Sequence, residues 1–266
     1  MNTYQIHVDT ATLSTQVFKQ NGNSFDSTYV FTQPHRRVRS VTLRNIQLPI
    51  GWFNIRAPYN TIVIDGTTYT LTAGYYATIT DVVNALNTLV TSGVGVFSVV
   101  SNKVVFTSAG ASSTITIPNY AYPTSSTYTT SGSNTSSQST SVIPNTPYST
   151  FPSLSTILGF TNGQTGKPIT ATNIYNLNYD TYIHVYIPNL SASSPEATQS
   201  TFKIPITSTF GNVQSIDYSY NLQCVKITDS SCVVDRLIMK VVDRWGNVMS
   251  NNGLDWSMTV EFMCDI

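Results

Sequence analysis

Hydrophobic and polar residues alternate along most of this chain, the period of strands with one buried face. The last segment is the cleanest. Trp256, Met258, Val260 and Phe262 share one side, and Ser257, Thr259, Glu261 and Met263 the other. Residues 233–242 set Leu237, Met239 and Val241 against Arg236, Ile238 and Lys240. Turn chemistry at 243–247 and 251–253 lies between them and predicts a C-terminal two-strand ribbon. Earlier strands are predicted over 181–187, 201–206 and 221–227, with Pro205 placing the second at a sheet edge. Residues 27–31 and 37–47 read as strands separated by a turn at Gln33-Pro34-His35-Arg36; in the second, Val41 and Leu43 oppose Ser40, Thr42 and Arg44.

Two hairpins are written into the turns. Asp65-Gly66 separates β-branched runs, and type I′ turns need positive φ at both central positions. Ser101-Asn102 stands between 96–100 and 103–107 in the same way. One helix is predicted from Thr80 to Leu89. Val82, Val83, Leu86, Leu89 and Val90 recur at three- and four-residue steps, Thr80 serves as N-cap, and Gly93 lies past the end. A second helical turn spans 152–158, closed by Gly159. About ten short strands, one or two short helices and polar loops make the chain all-β, a single jelly-roll β-sandwich. Residues 1–26 are an N-terminal arm and lead-in, and residues 27–266 the jelly-roll domain. Within it, 119–150 is a Ser/Thr/Tyr-rich, charge-free surface loop or insertion that cannot bury enough apolar area to fold alone.

Composition turns this fold towards assembly. Only 10% of the 266 residues are charged and the formal net charge is 0, against about a quarter charged in an ordinary soluble domain. Tyr, Ser, Thr and Asn supply the polarity, as in the cores of protein–protein interfaces, and zero net charge favours association. The N-terminus has no basic stretch followed by an apolar run, so no secretion signal is expected, and no apolar run is long enough to span a bilayer. Cys224, Cys232 and Cys264 form no disulfide framework and match no zinc spacing. The sequons at Asn134 and Asn189 read as chance in an Asn/Ser/Thr-rich chain.

Catalytic chemistry finds no foothold. No phosphate loop, nucleophile elbow or zinc-protease motif occurs, and the carboxylates are scattered. His7 and Asp9 would share a strand face but lack a Ser or Cys nucleophile, and His184 reads as a strand-face residue. No cofactor and no metal is predicted. The one charge concentration is His35, Arg36, Arg37 and Arg39, with Arg44 nearby. It reads either as a contact for an acidic partner or as a solvated strand entry paired with dispersed carboxylates. Neutral net charge argues against specific or general nucleic-acid binding.

The ordered motifs carry a resemblance. They are Tyr4-Gln5-Ile6, Asn45-Ile46-Gln47-Leu48-Pro49, Gly74-Tyr75-Tyr76-Ala77-Thr78 running into Ala85-Leu86-Asn87, 155–160, and 241–247 before the terminal strand. Together they resemble the penton (vertex) capsid proteins of the double-jelly-roll DNA virus lineage: virophages, polinton-like viruses and large eukaryotic DNA viruses. The resemblance implies a non-enzymatic structural protein of the virion, assembled in the host cell interior. Such proteins form homopentamers that close icosahedral five-fold vertices beside the major capsid protein. Minor or inner capsid components, a fibre or a host receptor are further partners it raises. The candidate interaction residues are Tyr4, Ile6 and Val8 of the arm, where a strand can be added; Arg36, Arg37 and Arg39; and Tyr120, Tyr122, Tyr128 and Tyr148 of the polar segment. The alternatives are a carbohydrate-binding or adhesin-like β-sandwich using stacked tyrosines, and a minor capsid or fibre-base protein.

Overall fold

The computed structural model describes residues 1–11, 16–117, 152–190, 201–220, 223–227 and 232–265. The chain is all-β with two short helices, and it divides into two compact units: residues 1–52 with 180–266, and residues 53–179. The stretch 27–266, expected as the jelly-roll domain, includes parts of both units. No composition shift marks the boundaries, because strand periodicity runs through both units.

In chain order the first unit begins with β1 (Asn2–Asp9), β2 (Val17–Gln20), β3 (Asn23–Arg36) and β4 (Val38–Pro49). The second unit follows with β5 (Thr61–Ile64), β6 (Thr67–Thr70), α1 (Ile79–Leu89), β7 (Gly95–Val100), β8 (Lys103–Ser108), β9 (Ser113–Thr116), α2 (Leu154–Ile157), β10 (Gln164–Gly166) and β11 (Ile169–Thr170). The chain returns to the first unit through β12 (Tyr182–Tyr186), a 3₁₀ turn (Pro188–Leu190), β13 (Thr201–Pro205), β14 (Val213–Asp217), β15 (Gln223–Lys226), β16 (Val233–Val242) and β17 (Ser257–Cys264).

The first unit is two antiparallel sheets around one core. One has the order β1-β17-β4-β14, with β15 also on β4; the other has the order β13-β12-β16-β3-β2. The chain crosses between sheets from β1 to β2–β3, back to β4, over to β12–β13, back to β14–β15, then through β16 to β17. Strands far apart in sequence become neighbours, as with β1 and β17. This is jelly-roll connectivity. Val41, Leu43, Ile46, Val260 and Phe262 of one sheet share a core with Ile183, Val185, Leu237, Met239 and Val241 of the other. β17 buries the face its alternation predicts, and β13 is an edge strand, as Pro205 requires.

Three local expectations change. The C-terminal ribbon does not form: β16 lies between β12 and β3, and β17 between β1 and β4, so residues 243–256 carry the chain from one sheet to the other. The turn expected at Gln33–Arg36 is strand, and the chain reverses at Arg37, whose φ is 53°. Pro34 is tolerated because β3 and β16 slip register between Val234 and Arg236, and it sits in the interrupted stretch where no ladder amide is needed. The expected arm is strand as well, pairing with β17 from Asn2↔Cys264 to Asp9↔Ser257.

The second unit holds the sheets β10-β9-β5-β6 and β11-β8-β7. Both predicted hairpins form, with φ of 50° and 78° at Asp65 and Gly66, and 50° and 61° at Ser101 and Asn102. The cap of α1 lies two residues before the expected one. Thr78 accepts from the Asp81 amide while the Asp81 carboxylate accepts from the Thr78 amide, a reciprocal capping box that outcompetes Thr80. Its Ile79, Val82, Val83 and Leu86 are buried.

Candidate interaction surface

The structure brings together two of the three groups singled out in the sequence. β1 is an outer strand of the first unit, and the antiparallel ladder places alternate backbone groups on opposite sides of it. The Thr10 amide bonds the Trp256 carbonyl at 3.0 Å, so the even-numbered residues of β1 bond β17. The N–H and C=O groups of Thr3, Gln5, His7 and Asp9 therefore face outward, where no described strand pairs with them. β1 carries no Lys, no Pro and no bulge, whereas β2 has Lys19 and a register slip, and β13 has Lys203 and Pro205. Those are the usual devices that stop an edge from pairing.

Along β1 the inward side chains sink progressively into the sandwich. Tyr4 is 44% exposed, Ile6 is half-buried and Val8 is 1% exposed. Val8 is thus a core residue. On the opposite face His7 Nδ1 lies 3.1 Å from Thr259 Oγ1, and Gln5 Nε2 donates to Glu261. Arg44 grips Glu261 with Nε and Nη2 at 3.1 and 2.6 Å, and this fork holds the carboxyl below the usual carboxylate range.

Tyr4 reaches the arginine corner through His35. Their ring centroids are 5.3 Å apart, and His35 precedes Arg36 at the end of β3. Arg36 and Arg37 are exposed, and the Arg37 carbonyl accepts from the Asp265 amide at 3.0 Å. Arg39 donates to Asp265 at 2.5 Å. Arg39 and Arg44 therefore follow the bland reading, strand arginines paired with dispersed carboxylates, while Arg36 projects into solvent. Tyr120, Tyr122, Tyr128 and Tyr148, with the 119–150 segment, lie outside the described residues.

The opposite flank of the same unit treats its edges differently. Gln223 Oε1 accepts from the Lys203 amide at 2.7 Å, and its Nε2 donates to the Lys203 carbonyl at 2.6 Å. Gln214, 2% exposed, donates to the Pro205 carbonyl at 2.6 Å and accepts from the Thr207 and Ser208 amides at 2.7 and 3.1 Å. Side-chain amides thus occupy the outward backbone groups of β13. Sequence reasoning missed both glutamines and the His35 ring cluster. The signal for His35 was the period-two series Tyr29, Phe31, Gln33, His35, hidden by reading Pro34 as a turn.

The remaining candidate chemistry is structural. His184 is half-buried beside Tyr182, its pKa lowered by burial and then by Lys203, whose ammonium stands 4.1 Å from the Tyr182 ring centroid. Asn189 Nδ2 donates to the Arg236 carbonyl and its Oδ1 accepts from the Ile238 amide. Asp9 accepts from the Ala11 amide. Among the described residues no three His, Cys, Asp or Glu side chains are grouped to hold a metal, and no helix is long and apolar enough to cross a membrane.

No protein-family model matches the chain, and no curated protein matches its sequence. Among solved structures, the chain is similar to the crystal structure of a mavirus penton protein, with 9% sequence identity, a TM-score of 0.46 and full coverage of both chains.

Proposed function

We propose that this protein is a structural capsid subunit, a penton that closes icosahedral five-fold vertices as a ring of five copies beside the major capsid protein. The observation that carries the reading is the single jelly roll with two unlike flanks: an open β1 edge next to exposed Arg36, and a β13 edge occupied by Gln214 and Gln223. A closed ring joins two different surfaces of one subunit, so unlike flanks suit it. With 10% charged residues, such flanks meet without stripping water from many unpaired charges. The order of sequence motifs points the same way. On this reading Tyr4, Ile6, Arg36 and Arg37 contact a neighbouring copy or an inner capsid component, and the protein resides at the virion vertex.

Light scattering on the purified chain, with negative-stain images of the same peak, tests it. The expected result is five-fold rings near five times 29.2 kDa. A stable monomer that binds glycans would overturn it in favour of a carbohydrate-binding sandwich. Reversing Arg36 and Arg37 to Glu should weaken ring formation; rings of unchanged stability would remove the arginine corner from the interface.

A further inference from the structure

We propose that His35 is a pH-sensitive latch on the edge strand β1, and that protonating its ring loosens the N-terminal half of β1 from the sandwich. The ring sits where the two sheets of the first unit meet. Its centroid lies 5.3 Å from that of Tyr4 on β1, 4.9 Å from Phe31 on β3 and 5.1 Å from Phe262 on β17. Phe31 in turn meets Phe262 edge-on at 5.7 Å and Tyr29 at 5.2 Å. Tyr4 is the side chain through which the first residues of β1 join this cluster, because Ile6 and Val8 lie farther along the strand. His35 is therefore the ring through which Tyr4 contacts β3.

Among the described residues nothing around the ring compensates a positive charge. β1 turns Tyr4 and Ile6 towards it, β3 turns Tyr29 and Phe31, and β16 pairs uncharged Val234 with it. β17 contributes Phe262 and Cys264, whose thiol burial pushes up, keeping it neutral near pH 7. Glu261 lies on the other face of β17 in the grip of Arg44 and Gln5. Asp265 is engaged by Arg39. Arg36 and Arg37, the nearest charges along the chain, have the same sign as an imidazolium. No hydrogen bond to the ring is made among the described residues, and burial lowers its pKa from the ordinary 6.5.

The sign follows from linkage. With β1 docked, burial lowers the ring's pKa from 6.5; releasing Tyr4 removes part of that cover and lets the pKa rise back towards the ordinary value. Acidification through 6.5 therefore favours release, by up to about tenfold per pH unit, until the lowered value is passed. The latch acts on the edge assigned above to assembly. It is read on the isolated chain, so its failure would leave the ring proposal standing.

The test is hydrogen–deuterium exchange on the full chain at pH 7.5 and 5.5, with rates corrected for intrinsic chemistry. Protection at the Tyr4 and Ile6 amides, which bond β17, should fall several-fold at the lower pH while β15 stays constant. The His35→Phe variant keeps a ring in the cluster without titrating and should abolish the response. Tyr4→Leu, which uncouples β1 from the ring, provides the same control should His35→Phe misfold. Equal protection at both pH values would overturn the latch. So would tighter protection in acid, the mark of an imidazolium attracted to the ring faces, or an unchanged response in both variants.

Discussion

The two flanks of the jelly-roll unit solve one problem in opposite ways. Every open sheet leaves a row of unpaired N–H and C=O groups at its edge, and these must meet water, a side chain or another strand. On the β13 flank, Gln214 and Gln223 fold back on the backbone and act as a missing strand. On the β1 flank no side chain does among the described residues; the strand is held inward by ring contacts and pairs with no described strand outward. The second unit repeats the capped solution: Asn87 donates to and accepts from the Phe97 backbone at 2.9 and 2.7 Å, on the free side of β7. The contrast gives the charge-poor composition a structural meaning. A chain with few lysines to guard its edges uses neutral amide side chains on β13 and β7, and β1 carries neither device.

The largest test of the contrast is at Gln214. Replacing it with Ala strands the Pro205 carbonyl and the Thr207 and Ser208 amides in a partly buried corner. Each orphaned buried group costs roughly 1–3 kcal/mol, so a loss of about 3 kcal/mol in urea unfolding is expected. A change below about 1 kcal/mol would mean that water replaces the glutamine freely, and that the two flanks do not differ in kind.

Gln223→Ala should cost less, about 1 kcal/mol, because the Lys203 backbone it caps can turn to solvent. Its more telling effect is on association. With β13 uncapped, both flanks present bare edges, and non-specific self-association by light scattering should rise above that of the parent chain. If the variant associates no more than the parent, capping does not restrain that edge.

These features also mark how far the sequence can be read. β17 and both I′ hairpins were legible because alternation and turn chemistry are local. β14 was missed for the same reason that its flank is stable. Its inward positions are Gln214 and Ile216, and a buried glutamine breaks the apolar pattern that announces a strand. The ribbon expected from β16 and β17 failed because turn residues between two strands do not say whether the second pairs with the first or crosses to the other sheet. The candidate surface was half visible. Tyr4 and the arginines were named, but their meeting depends on β3 running through Pro34, which only the register slip with β16 permits.

The smallest expected effect separates the two sources of pH dependence on the β1 flank. The Arg44 fork lowers the Glu261 pKa from its ordinary 4.5, so the pair stabilises the fold above that value and is lost as pH falls through the lowered one. His35 works in another window: its loss begins near 6.5 and opens only the end of β1. Arg44→Met should therefore cost about 0.5–1 kcal/mol at pH 7, the range of a partly exposed ion pair, and the gap should narrow as pH falls below 4.5. Urea is the right denaturant, because guanidinium would screen the pair. The same variant should keep the full exchange response of the Tyr4 and Ile6 amides between pH 7.5 and 5.5. A shared loss of both responses would tie the two faces of β17 into one titrating network and make His35 a reporter of it rather than the latch.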